Sequence, residues 1–108
     1  MDVGTPAAIE RIHEVLADEP STEAELRALR VQAEGWARVL EGRLRAGERR
    51  LRELTTDPAS SLAAIAGELR TVDPLHRELA ETLELIDRLD ERARGLRSGW
   101  LTAGRTGR

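Results

Sequence analysis

Four residues combine the side-chain types and the spacing that could bind a metal ion. Each of the two histidines in the chain follows a carboxylate by three positions: Glu10 precedes His13, and Asp73 precedes His76. Residues three apart on an α-helix share one face, so each pair could present a carboxylate and an imidazole to the same ion. The pattern therefore makes these four residues candidates for metal chemistry.

Di-metal four-helix bundles of the ferritin-like class use this kind of pair. In them, two helices each supply a carboxylate and a histidine and two others each supply a glutamate, which the pattern in this chain resembles. Glu34, Glu41 or Glu68 could supply the remaining carboxylates. However, 20 acidic residues in 108 make such spacings common, and Asp73 is well placed to cap a helix instead. A di-metal protein is therefore the alternative hypothesis, and we predict no metal site and no cofactor.

The remaining residues form no pattern that is typical of catalysis. The chain has no cysteine, which excludes disulfides, thiolate nucleophiles and cysteine-ligated zinc. None of its serines lies in the Gly-x-Ser-x-Gly pattern of a nucleophile elbow, and the sequence has no glycine-rich phosphate loop after a strand. We therefore predict that the protein is not an enzyme.

Arginine supplies all 17 positive charges, since the chain contains no lysine. Asparagine, phenylalanine and tyrosine are also absent, which is typical of a G+C-rich bacterial genome, so the arginine content alone does not indicate a binding function. The formal net charge of −3 disfavours general binding to nucleic acids or anionic membranes. Because no apolar run approaches the ~20 residues of a membrane span and the amino terminus lacks a signal-peptide pattern, we predict a cytoplasmic protein.

The densest basic stretch runs from Arg43 to Arg52 and is interrupted by glutamates. Its arginines are Arg43, Arg45, Arg49, Arg50 and Arg52, and the nearby acids are Glu41, Glu48 and Glu53. Opposite charges three or four residues apart on a helix form ion pairs, so the main interpretation is a solvated, ion-paired face. The alternative is a site for phosphate or nucleic acid at this end of the helix.

Helix-start signals divide the chain into four predicted helices. Thr5-Pro6, Asp57-Pro58 and Asp73-Pro74 each place a capping side chain before a proline that suits the first helical position. Thr22 and Glu25 have the spacing of a capping box. We predict a single domain over 1–101 and a disordered tail over 102–108, with helices at about 6–18, 22–54, 58–71 and 74–99.

Apolar residues recur at gaps of three and four along both long predicted helices, and no segment has the alternation of a β-strand. This predicts an all-α helical bundle that is built on a long antiparallel, coiled-coil-like hairpin of 22–54 and 74–99, with two shorter helices. The apolar seam on 22–54 is longer than helices of about 13 residues can cover, since they span only ~20 Å. We therefore predict a partner for the seam.

The predicted function is protein–protein interaction through helical packing, as an adaptor, chaperone, regulator or small structural subunit. The partner is predicted to be a second copy of the chain, in a homodimer or higher oligomer, or another helical protein. The predicted partner-binding residues lie on the apolar seams. They are Trp36, Leu40, Leu44, Leu51, Leu96 and Trp100. The two tryptophans are most simply bulky core residues, and the alternative is that they anchor an interface, since tryptophan is frequent among binding hot spots.

Small residues recur every seven positions on the long helix, at Ala28, Gly35 and Gly42. Each glycine inside a helix costs about 1 kcal/mol relative to alanine. One interpretation is a face on which another helix approaches closely. The other is that G+C-rich codons supply these residues without a structural role.

Overall fold

The described part of the chain folds into three α-helices. A computed structural model describes residues 5–17 and 20–106, with side chains described as far as residue 99. No residue in these ranges is in a β-strand, so the prediction of an all-α protein is confirmed. None of the described helices has both the length and the apolar composition that a membrane crossing requires. The helices are α1 (Ala7–Leu16), α2 (Glu23–Thr56) and α3 (Leu62–Thr106).

The start of α2 confirms one half of the predicted capping box. The Thr22 hydroxyl accepts a hydrogen bond from the backbone N–H of Glu25 at 3.0 Å. The Glu25 carboxylate instead accepts a hydrogen bond from Nε of Arg11 at 2.6 Å, which links α1 to α2. Glu25 thus fixes the position of the short helix as well as lying in the first turn of the long one.

The prediction of two separate helices over 58–71 and 74–99 was wrong, because α3 runs through both segments with Pro74 inside it. Proline cannot donate a backbone hydrogen bond to the carbonyl four residues earlier, which here belongs to Arg70. Both residues lie on the exposed side of α3, so water can bind that carbonyl. On the opposite side Val72 is only 4% exposed, and its packing holds the segment against α2.

The other helix boundaries also differ from the prediction. The Asp57 carboxylate accepts from the backbone N–H of Ala59 at 2.9 Å and closes a turn rather than capping a helix. The Ser61 hydroxyl accepts from the N–H of Ala64 at 3.1 Å, and α3 therefore begins at Leu62 instead of residue 58.

At the ends of the chain, α1 occupies 7–16 rather than 6–18, and it starts after Pro6 without a side-chain cap from Thr5. Residue 18 lies outside the described residues. Helix α3 continues to Thr106, whereas we predicted a helix end at 99 and a disordered tail from 102. Residues 107 and 108 of that tail lie outside the described residues.

One apolar core joins all three helices. It contains one face of α1, the first half of α2 and the second half of α3, with gaps of three and four residues along each helix. At ~1.5 Å per residue α1 spans only ~15 Å, so it covers a limited length of the two long helices. The buried residues of this core are Ile9, Ile12, Val15, Leu26, Leu29, Ala33, Trp36, Leu40, Leu85, Ile86 and Leu89.

The two long helices pack together along an elongated molecule of 76 × 26 × 18 Å. Arg97 of α3 lies 3.7 Å from Glu23 at the start of α2, and Asp90 lies 2.8 Å from Arg30. Beyond the three-helix core, Gly47 of α2 faces Val72 of α3 so closely that an added Cβ would lie 2.9 Å from a valine methyl group. Glycine therefore allows close contact between the helices at this level.

Candidate interaction surface

Half of the predicted partner-binding residues are buried inside the chain. Trp36 is 7% exposed, Leu40 0% and Leu44 7%, so these three predicted partner-binding side chains pack within the chain. Trp36 and Leu40 share the core with residues of α1 and with Leu85, Ile86 and Leu89 of α3, which lie in the segment predicted as the helix 74–99.

The other three predicted residues have mixed positions. Leu51 is half-buried, and Leu96 is 37% exposed near the end of α1. The side chain of Trp100 lies outside the described side chains. The structure therefore does not bring the five residues with described side chains together as one surface.

A different set of apolar residues lies on the opposite side of α2, facing away from the core. We call this set the outer face. Its two largest members, Val31 and Val39, are 62% and 44% exposed. Of the other members, Gly35 and Ala46 are half-buried and the rest are exposed. The outer face consists of Ala24, Ala28, Val31, Gly35, Val39, Gly42 and Ala46.

The spacing of the outer face matches the geometry of a helix. Successive members are four, three, four, four, three and four residues apart, so the face contains two intervals of 11 residues. Eleven residues complete three helical turns, which keeps the members aligned on a nearly straight line. From Ala24 to Ala46 this line is ~33 Å long at ~1.5 Å per residue.

No described part of the chain packs against the middle of the outer face. Apart from its chain neighbours and the adjoining backbone of α2, a Cβ added at Gly35 or at Gly42 would have no heavy atom within 4 Å, whereas one at Gly47 would meet Val72 at 2.9 Å. The glycines of α2 therefore have two different environments. Gly47 serves packing within the chain, while Gly35 and Gly42 leave an open, flat helix surface.

Charged residues line the outer face on the side nearer α3. Glu34 lies 3.4 Å from Arg30, which also binds Asp90 of α3. Arg38, one turn further along, is exposed, and no described residue forms an ion pair with it. The middle of α2 thus carries an acidic and a basic side chain next to each other at the border of an apolar strip.

The arginine-rich stretch is partly paired, as its interpretation as a solvated face predicts. Arg45 lies 3.8 Å from Glu41, and Arg50 lies 3.1 Å from Glu68 of α3. The guanidinium of Arg43 lies 5.3 Å from the centre of the Trp36 ring, a cation–π geometry. Three of the five arginines therefore have partners within the chain.

The two histidines have different surroundings. His13 borders a cavity of about 130 Å³ together with Trp36, Glu78 and Glu81. Nε2 of His76 lies 3.8 Å from the Glu48 carboxylate on α2. Glu10 and Asp73 are exposed, and no group of three or more potential ligands within residues 5–17 and 20–106 is arranged to hold a metal ion.

The carboxylates that could have completed a di-metal site are also engaged elsewhere. Glu34, Glu41 and Glu68 each lie within 4 Å of an arginine: Arg30, Arg45 and Arg50 respectively. The helical arrangement therefore distributes these acids over ion pairs instead of directing them toward the histidines.

Sequence reasoning identified three of the seven members of the outer face, Ala28, Gly35 and Gly42, through their spacing of seven. It missed Ala24, Val31, Val39 and Ala46. The leucines of α2 all lie on the opposite seam. A search of α2 for small or β-branched residues with an 11-residue period would therefore have found these four residues.

Comparison with known proteins adds no family to this description. No protein-family model matches the chain, and no curated protein or solved structure is significantly similar to it.

Proposed function

We propose that this protein functions by binding protein through helical packing, and that its partner is a second copy of the same chain. The single observation that carries the proposal is the outer face of α2, an apolar helix surface that no described part of the chain covers. Contiguous exposed apolar surface on a small protein commonly marks an interaction site. The adaptor, chaperone, regulator and structural-subunit roles all use such a surface.

We also propose that α2 and α3 form an antiparallel, coiled-coil-like hairpin, which makes the outer face part of a rigid rod. Three ion pairs between the helices support this arrangement: Glu23 with Arg97, Arg30 with Asp90, and Arg50 with Glu68. The numbers of the two residues add to 120 in the first two pairs and to 118 in the third. A nearly constant sum is the signature of two helices that run in opposite directions in a fixed register.

The size of the outer face sets the expected strength of association. A strip ~33 Å long and ~12 Å wide, contributed by each of two copies, buries on the order of 800 Å² in total. Stable protein interfaces bury about 1,200–2,000 Å², and transient ones less. We therefore expect a reversible dimer whose population depends on concentration.

Sedimentation velocity over a concentration series from about 1 to 500 μM tests the proposal. The wild-type protein should shift from monomer toward dimer, and the double variant Val31→Glu/Val39→Glu should remain monomeric, because pairing would bury four carboxylates without partners. Leu62→Glu is the matched control, since Leu62 is 85% exposed and lies far from the outer face. This variant should dimerise like the wild type.

Circular dichroism separates loss of binding from loss of folding. Both substituted residues are exposed, so the double variant should keep the helix content and melting temperature of the wild-type monomer. A wild-type monomer at every concentration would contradict self-association. A double variant that dimerises like the wild type would show that the outer face is not the contact surface.

A further inference from the structure

We propose that two copies pair through α2 in antiparallel orientation, around a two-fold axis that passes beside Gly35. This inference rests on the proposed function and specifies its geometry. The order of gaps along the outer face is the same when read from either end: four, three, four, then four, three, four. A surface with this symmetry is complementary to itself under a two-fold rotation, as an isologous dimer interface requires.

The symmetry brings each member of the outer face level with another member. Residues whose numbers add to 70 lie at the same level, so Val31 meets the partner's Val39 and Ala28 meets the partner's Gly42. Gly35 meets the partner's Gly35 at the axis. Because glycine has no side chain, the two helix axes can approach closely at this point, toward the lower end of the ~8–10 Å range of helix separations. This close approach brings the valines on either side into contact.

Charge complementarity favours the antiparallel orientation. In that orientation each border of α2 lies against the same border of the partner's α2. Glu34 therefore lies beside the partner's Arg38, and the two-fold symmetry forms this pair twice. On the other border, Arg43 lies near the level of the partner's Glu25. These pairs bring opposite charges together on both borders of the strip, and Arg38, which has no ion pair with a described residue, gains one. One like-charge contact opposes them, because Arg27 lies beside the partner's Arg45. Each of these two arginines already has a glutamate neighbour in its own chain, Glu23 and Glu41 respectively.

A parallel pair would have the opposite electrostatics. In a parallel pair, one border of α2 lies against the opposite border of the partner's α2. A residue of one copy then neighbours the residue five positions later in the other copy, as in parallel coiled coils. Arg38 would then lie beside the partner's Arg43, and Arg45 beside the partner's Arg50. Each repulsive contact would occur twice, so these arginines disfavour the parallel arrangement.

Disulfide cross-linking tests the geometry cleanly, because the chain has no cysteine of its own. Single variants Gly35→Cys, Ala28→Cys and Gly42→Cys are oxidised mildly at a concentration where the wild type is dimeric. Gly35→Cys should form a covalent dimer, since both copies place residue 35 at the axis. The other two should not cross-link alone, because residue 28 of one copy lies ~21 Å along the axis from residue 28 of the other.

A mixture of Ala28→Cys and Gly42→Cys chains provides the positive counterpart. It should yield covalent heterodimers, since these positions face each other across the axis. Ala63→Cys, an exposed position at the start of α3, measures cross-linking by random collision. Adding a side chain at residue 35 or 42 meets no neighbouring atom in the monomer, so both variants should fold.

The outcomes separate this inference from the proposed function. Strong cross-linking of Ala28→Cys and Gly42→Cys alone would indicate a parallel pair, which overturns the inference and leaves self-association through the outer face standing. A dimer by sedimentation with no cross-link above the Ala63→Cys level would overturn both the geometry and the choice of surface. A monomer at all concentrations would overturn the proposed function itself.

Discussion

The two faces of α2 carry apolar residues at nearly the same helical spacing, yet they differ in side-chain size and in what covers them. The inner face has leucine and tryptophan, and Leu26 and Leu40 are at most 1% exposed. The outer face has alanine, glycine and valine, and its valines are 62% and 44% exposed. Apolar spacing alone therefore does not identify the core. Side-chain size separates a face that drives folding from one that permits reversible contact.

The difference follows from the area that each face can bury. Fully burying a leucine contributes about 1.5–3 kcal/mol, whereas glycine and alanine offer little apolar surface. A folded monomer needs the larger contribution, because folding must overcome the loss of conformational entropy. A surface of small residues offers less free energy on binding, but it lets two helix backbones come close without reorganising side chains.

The largest contrast between the faces should come from truncating one residue of each. Leu40→Ala should lower the free energy of unfolding by about 2–5 kcal/mol, because it leaves a cavity in a core position that is 0% exposed. Val39→Ala, the adjacent position on the outer face, should change it by less than about 0.5 kcal/mol. Urea denaturation of both variants, at a protein concentration that keeps the chain monomeric, provides the measurement. Equal losses would contradict the assignment of the two faces.

Much of the inner face could be predicted from sequence, because leucines at gaps of three and four determine a buried seam. The prediction of a helix boundary at Pro74 was wrong, because α3 runs through this residue. An X-Pro step is a reliable helix boundary only where the lost backbone hydrogen bond cannot be replaced. On the exposed side of α3 water can replace it, so α3 continues for 45 residues.

The outer face was harder to recognise from sequence, for a reason of composition. Alanine and glycine are common in a G+C-rich chain, so their spacing has little weight until the structure shows which members share an exposed side. The structure adds the two valines between them and the absence of neighbours around Gly35 and Gly42. The outer face is therefore defined by the positions of these residues in the structure, and the sequence repeat alone does not identify it.

The glycines provide a second contrast, with effects of opposite sign. Gly47→Ala places a methyl group 2.9 Å from Val72, and this overpacking should cost about 1–3 kcal/mol, partly offset by about 1 kcal/mol of helix propensity. Gly35→Ala has only the gain in helix propensity and should stabilise the monomer by about 1 kcal/mol. Thermal melting of both monomers distinguishes them. Stabilisation by both substitutions would mean that Gly47 is not a packing position.

The smallest expected effect concerns the charges that border the outer face. Arg38→Glu should weaken the antiparallel dimer about five-fold, because each of its two pairs with the partner's Glu34 loses an attraction and gains a repulsion, a change of about 0.5 kcal/mol per pair. The double variant Glu34→Arg/Arg38→Glu exchanges the two charges and should restore the wild-type dissociation constant. Sedimentation equilibrium at low salt measures all three proteins. In a parallel dimer Arg38→Glu would instead strengthen association, because it removes the repulsion from the partner's Arg43, so the sign of this small change distinguishes the two orientations.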